Sequence, residues 1–205
     1  MAKIALLGGA FDPPHNGHLA VARAVRDARQ LDRVDLLVSA GSPHRGGKQN
    51  AASAADRAAM AALAVENEIG LGVEECELAR PGPSFTVDTI RHLHSLRPQN
   101  QYSFILGGDM LADLPNWREI GALLDMVEFI CVYRPGFGAE VFARLEDSLG
   151  RAVVARLRAS HVDAPQLGIS STKVRNAVAA GESIAQYVPQ AVEQFIYARG
   201  LYRPA

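Results

Sequence analysis

From Lys3 to Ser39 the chain reads KIALLGGAFDPPHNGHLAVARAVRDARQLDRVDLLVS. KIALLGG is a short apolar run ending in glycines, the pattern of a buried strand. GHLAVARAVRDARQL repeats its apolar residues at helical spacing, which predicts a helix. RVDLLVS is a second buried strand. Strand, turn, helix and strand in that order are the signature of a parallel βαβ unit. The turn between the first strand and the helix holds two histidines, His15 and His18, three residues apart.

The same alternation runs on from there. SAADRAAMAALAVEN begins with a Ser-x-x-Asp cap and predicts a helix. LGVEECEL alternates like a strand, and SFTVDTIRHLHSL is a helix stopped at Arg97-Pro98. YSFILGG and VEFICVYRPG are further buried strands. FGAEVFARLEDSLG is a helix with Gly150 as its C-cap. SHVDAP is a weak candidate for a last strand, and STKVRNAVAAG and PQAVEQFIYARG are helices. GSPHRGGKQNAAS, from Gly41 to Ser53, is the one long irregular loop. The expected architecture is α/β: a doubly wound, mostly parallel sheet in a single domain over residues 1–205. Its C-terminal portion, about 170–205, is helical. In such sheets ligands sit beyond the carboxyl ends of the strands, at the switch point of strand order.

Bulk properties narrow the classes of function. The 205 residues are 48% hydrophobic and 21% charged, ordinary for a globular chain able to bury a core. The formal net charge of -1 offers no basic field for nucleic acid. No apolar run reaches the length of a membrane span, and none reads as a secretory signal. Cys76 and Cys131 are too few for a disulfide framework and suit a reducing cytoplasm. Nothing in the sequence separates a monomer from a homodimer.

At i and i+3, His15 and His18 share one face of the helix start. Unpaired N–H groups and a partial positive charge make that end an anion site. The glycine-rich G-x-G-x-x-G and Walker A patterns are absent. A zinc site would want more ligands than this pair supplies. Ser170, Ser171 or Thr172 can cap the next-to-last helix, with Arg175 a turn later; this reads either as a plain cap or as a second anion site. Asp109 follows a strand that ends in Gly107 and Gly108, either as a helix cap or as an acceptor for ribose hydroxyls. Trp117 is the only tryptophan, and by itself a lone tryptophan reads as core.

The motifs together resemble a known family. GGAFDPPHNGH is similar to the G-G-[ST]-F-D-P-x-H-x-G-H signature of bacterial nicotinate-nucleotide adenylyltransferases, members of the H-x-G-H nucleotidyltransferase superfamily. GSPHR, SFTVDTI, LGGDML with Trp117, VYRPG and ISSTKVR resemble the family's later motifs, in the family's order and over nearly the whole chain. Ala10 stands where the family usually has Ser or Thr, and Arg45 where Lys is commoner. The resemblance implies adenylyl transfer: the phosphate of nicotinate mononucleotide attacks the α-phosphorus of ATP, and pyrophosphate leaves. No covalent enzyme intermediate is expected, and Mg²⁺ is expected to ride on the ATP phosphates rather than on protein ligands.

The resemblance also implies residue roles. His15 and His18 are the expected catalytic pair. Gly8, Gly9, Gly107, Asp109, Ser170, Ser171, Thr172 and Arg175 are expected at ATP. His44, Arg45, Thr86, Trp117 and Arg134 are expected at nicotinate mononucleotide, with Trp117 stacking on the pyridine ring. The rivals fit less well. A pantetheine-phosphate adenylyltransferase would share H-x-G-H and a similar C-terminal Ser/Thr motif but would not need the Thr86, Trp117 and Pro-His-Arg set. A cytidylyltransferase would carry R-T-E-G-I-S-T, and a class I aminoacyl-tRNA synthetase K-M-S-K-S. A nucleotide sensor on the same fold would be expected to lack one of the phosphate groups.

Overall fold

The computed structural model describes residues 1–40, 50–80, 82–133, 137 and 139–204. Strand β1 (Lys3–Gly9) leads into helix α1 (Asn16–Ala28) and strand β2 (Arg33–Val38), as the opening stretch predicts. Helix α2 (Ala54–Val65) then leads to β3 (Leu71–Glu74), and α3 (Thr86–Leu96) to β4 (Gln101–Gly107). After β4 come a short helix α4 (Gly108–Asp113), α5 (Ile120–Met126) and β5 (Glu128–Val132). The chain closes with α6 (Ala139–Leu149), α7 (Arg151–Ala159), α8 (Ser171–Ala179) and α9 (Gln190–Ala198).

The sheet runs β3-β2-β1-β4-β5 and every neighbouring pair is parallel. Connections proceed outward from β1 through β2 and β3, then return past β1 to β4 and β5. Strand order therefore reverses between β1 and β4, where a doubly wound sheet opens a crevice. Both faces of the sheet are covered, as parallel sheets require. Side chains alternate across each strand. Ala5 and Ile105 pack with α1, α2, α8 and α9. Ile4, Leu6, Phe104 and Leu106 pack with α3 to α7.

Two expectations need correction, and one helix stands where no element was expected. SHVDAP is no strand: His161 makes only an isolated parallel bridge to Cys131. The segment after Gly150 is a further helix, α7. Gly150, at φ +84°, ends α6 and starts α7 without a loop between them. The β-type alternation of LGVEECEL yields only the four residues of β3.

Candidate active site

The turn between β1 and α1 is held from several directions. Asp12 is 3% exposed. Its carboxylate accepts Ala51 N–H at 2.7 Å, Ala52 N–H at 3.1 Å and the Tyr202 hydroxyl at 2.8 Å. Arg57, 1% exposed, donates to the carbonyls of Ala10 at 2.8 Å and Ser39 at 2.7 Å. Asn16 N–H donates to the Tyr187 carbonyl at 2.8 Å. Buried backbone groups must find partners, and here distant side chains supply them.

That turn delivers the two histidines. His15 is the N-cap of α1 in extended backbone, and its N–H donates to Nδ1 of His18 at 3.1 Å. The rings stack with centroids 3.6 Å apart and planes 18° apart. Phe11 meets His18 edge-on. Gly17 makes the stack possible, since a Cβ there would stand 3.0 Å from the His15 ring. Burial lowers the His15 pKa to about 4. Burial, and then the neighbouring His15, lower that of His18 to about 3. Both rings are therefore neutral near pH 7. Because Nδ1 of His18 accepts a hydrogen bond, its neutral ring carries the hydrogen on Nε2, which is left as a donor.

Two clefts open at the carboxyl ends of the strands. The first, about 840 Å³, is lined by His15, His18, Gly107, Asp109 and Ser170 among others. The second, about 730 Å³, is lined by Gly8, Gly9, Glu77, Thr86 and Trp117 among others. Asp109 and Met110 line both, so the clefts meet at the start of α4. Gly107 faces open space: among the described residues, a Cβ there would meet nothing within 4 Å beyond its chain neighbours. Two other hollows, about 330 and 650 Å³, lie around Arg29 and Glu128 and hold none of the expected residues.

Several expected residues take more specific places than the sequence foresaw. Ser170 is the cap of α8 and accepts Lys173 N–H at 3.2 Å. Ser171 instead donates its hydroxyl to the Pro13 carbonyl at 2.8 Å. Arg175 donates to the Asp12 carbonyl at 2.6 Å and to Thr172 Oγ1 at 3.2 Å. These bonds sew the start of α8 onto the histidine turn. Asp109 is not a cap, since Gly107 holds that position in α4. Thr86 is the first residue of α3, and Phe85 before it makes no side-chain cap. Trp117 is 7% exposed and packs edge-to-face with Phe104 and Phe129, with part of its surface on the second cleft. It is core and cleft wall at once. His44, Arg45 and Arg134 lie outside the described residues.

The sequence reading passed over Asp12, Arg57, Glu77 and Tyr202. Asp12 sits inside the quoted motif, and Asp56-Arg57 is the only charged pair in the otherwise apolar helix α2. Those were the available signals.

A reversal of strand order, a stacked imidazole pair at a helix start and two joined clefts define an α/β nucleotidyltransferase type of site. Residues 6–177 match the family model described as Cytidylyltransferase-like. The chain is 43% identical over 202 residues to the "probable nicotinate-nucleotide adenylyltransferase" of Roseiflexus sp. (strain RS-1), covering 98% of each. It is 40% identical over 203 residues to the protein of that name from Geobacillus thermodenitrificans (strain NG80-2), covering 98% of this chain and 87% of the relative. The chain belongs to the nicotinate-nucleotide adenylyltransferase family. The fold is also that of the Plasmodium falciparum nicotinic acid mononucleotide adenylyltransferase solved with NaAD, at TM-score 0.74 and 19% identity over 98% of both chains. Among the described residues, no helix is long and apolar enough to cross a membrane.

Proposed function

We propose that this chain joins ATP and nicotinate mononucleotide into nicotinate adenine dinucleotide, releasing pyrophosphate in a step of NAD biosynthesis. One observation carries the assignment of residues: two clefts of mononucleotide size meet at Asp109, with imidazole donors in one and an aromatic wall in the other. The incoming phosphate is already an anion near neutral pH, so the reaction needs no general base. An oxygen of that phosphate forms a bond to the α-phosphorus of ATP, the bond to the bridging oxygen breaks, and pyrophosphate leaves with that oxygen. Catalysis is positioning and charge stabilisation. In this reading His18 donates from Nε2 to the α-phosphate, and His15 assists beside it.

Gly107 leaves room for the nucleotide, and Asp109 accepts ribose hydroxyls where the clefts join; Gly8 and Gly9, expected at ATP, instead line the second cleft, where a Cβ would meet the rings of Phe104 and Phe11. Ser170 lines the first cleft, and with Ser171, Thr172 and Arg175 at the start of α8 it is assigned to the β- and γ-phosphates. Arg175 has five N–H donors, and its bonds to Asp12 and Thr172 use two of them. MgATP is the substrate form, with the ion on the phosphates. Trp117 stacks on the pyridine ring, and the uncapped first turn of α3 at Thr86 receives its carboxylate. The described lining of the second cleft is acidic, with Glu77, Asp109 and Asp113, which suits a cationic pyridinium ring. His44, Arg45 and Arg134 are assigned to the mononucleotide's phosphate on the family resemblance alone. A reducing cytoplasm suits the free thiols of Cys76 and Cys131.

The test is pyrophosphate release with ATP and Mg²⁺, run in parallel on nicotinate mononucleotide, nicotinamide mononucleotide and 4′-phosphopantetheine. Turnover with the nicotinate form, and little with the other two, is expected. Turnover with phosphopantetheine would keep the histidine chemistry and sink the second-cleft assignment. ATP binding without any turnover would make the chain a nucleotide sensor.

A further inference from the structure

Glu77 is 5% exposed, and it is a buried carboxylate on the wall of the second cleft. The chain's other buried acids have evident structural duties. Asp12 holds the histidine turn, Asp35 pairs with Arg33, and Asp56 binds the Ser53 cap and Arg199. Glu77 does something different. Its Oε1 accepts the hydroxyl of Thr89 at 2.7 Å, and the Ser84 hydroxyl bonds the same carboxylate. Arg80 donates in turn to Thr89 Oγ1. Burial pushes the Glu77 pKa up, against the pull of Thr89, Ser84 and Arg80. A buried charge of this kind costs stability that an apolar pair would not, so a plain packing role explains it poorly.

The partners of Glu77 flank one spot. Ser84 lies two residues before the start of α3, and Thr89 lies one turn into it. Thr86 and Thr89, at i and i+3, share a face of the helix. Thr86 and Ser84 line the second cleft together with Glu77 and Trp117. Glu77 thus grips the first turn of α3 on both sides of the point where its N–H groups are uncapped. Telling an acid from an amide there depends on donors held within a fraction of an ångström, because an amide presents a donor where the acid presents only acceptors.

We infer that Glu77 is a positioning residue for the second substrate: through Thr89 and Ser84 it fixes the first turn of α3 and so sets selectivity for a pyridine carboxylate over the matching carboxamide. The inference rests on the reading of that turn given above. Glu77 lines the second cleft and not the histidine cleft, so its influence falls on one substrate.

The experiment is steady-state kinetics on folded protein with nicotinate and nicotinamide mononucleotides and with ATP varied separately. Glu77→Ala is expected to raise KM for the nicotinate form by about tenfold or more and to lower the acid-over-amide ratio of kcat/KM by about tenfold, with KM for ATP within about twofold. Glu77→Gln keeps an oxygen acceptor for Thr89 and is expected to stay within about threefold of wild type. Should Glu77→Ala fail to fold, Thr89→Val breaks the same link and Thr89→Ser restores it. Equal losses on both mononucleotides, or an unchanged ratio in folded Glu77→Ala and Thr89→Val, would overturn the role given to Glu77. A wild-type enzyme with no preference for the acid would instead overturn the parent reading of the α3 turn.

Discussion

The first cleft takes its imidazoles from one turn, His15 to His18, and its remaining walls from the ends of β4 and β5 and the stretch before α8. The second is assembled from the end of β1, the segment before α3, α3 itself and the stretch after α4. Their chemistry differs as much as their construction. The first presents neutral imidazoles and helix-start N–H groups; the second presents an indole and three carboxylates. The contrast fits two different tasks. A polyanion crossing a transition state needs fixed donors. A flat cationic ring with a small substituent needs a stacking face and an acceptor-rich wall.

The contrast is easiest to break at His18. His18→Ala is expected to lower kcat by about 10²- to 10³-fold, the usual loss for one preplaced donor, and to leave the acid-over-amide ratio alone. Steady-state kinetics with both mononucleotides reads this. A ratio that moves with kcat would mean that the clefts are not separable. Trp117→Leu tests the other side. It keeps apolar volume against Phe104 and Phe129 but loses the stacking face. KM for nicotinate mononucleotide is expected to rise about tenfold while KM for ATP holds, with some loss of Tm from the edge-to-face contacts. A rise in KM for ATP alone would remove Trp117 from the second cleft.

The same division governs what was legible in the sequence. The βαβ opening, the histidine pair and the cap of α8 are local, and their spacing carries the physics. The second cleft was legible only through the family motifs, because spacing says nothing about which distant segments meet. Asp12 reaches Tyr202 across 190 positions, and Arg57 reaches Ala10 across 47. Such bonds leave no periodic trace in the chain. Thr89 and Glu77 are only 12 apart, yet the turn between them has no regular pattern from which a contact could be read. Helix α7 was missed for a plainer reason. Gly150 looked like an end, and a positive φ there serves equally to end one helix and start the next.

The smallest expected effect concerns the charge state that separates the two clefts. Unfolded histidines take up a proton as pH falls through about 6.5. In the folded protein His15 waits until about pH 4 and His18 until about pH 3. Between those limits the unfolded chain binds more protons, so these two groups remove stability as the pH falls from about 6.5 toward 4. Replacing one ring with an uncharged side chain cancels its share. Relative to wild type, His18→Gln is expected to be about 1 kcal/mol more favourable at pH 5 than at pH 8, after allowance for solvent reaching the ring. Urea unfolding of both proteins at the two pH values measures the difference. The packing change is common to both conditions and drops out. If the difference between variant and wild type is the same at both values, the imidazole is not held neutral. A ring titrating at its ordinary value of about 6.5 would be mostly neutral at pH 8 and mostly cationic at pH 5, so Nε2 of His18 would be a preplaced neutral donor only above that value.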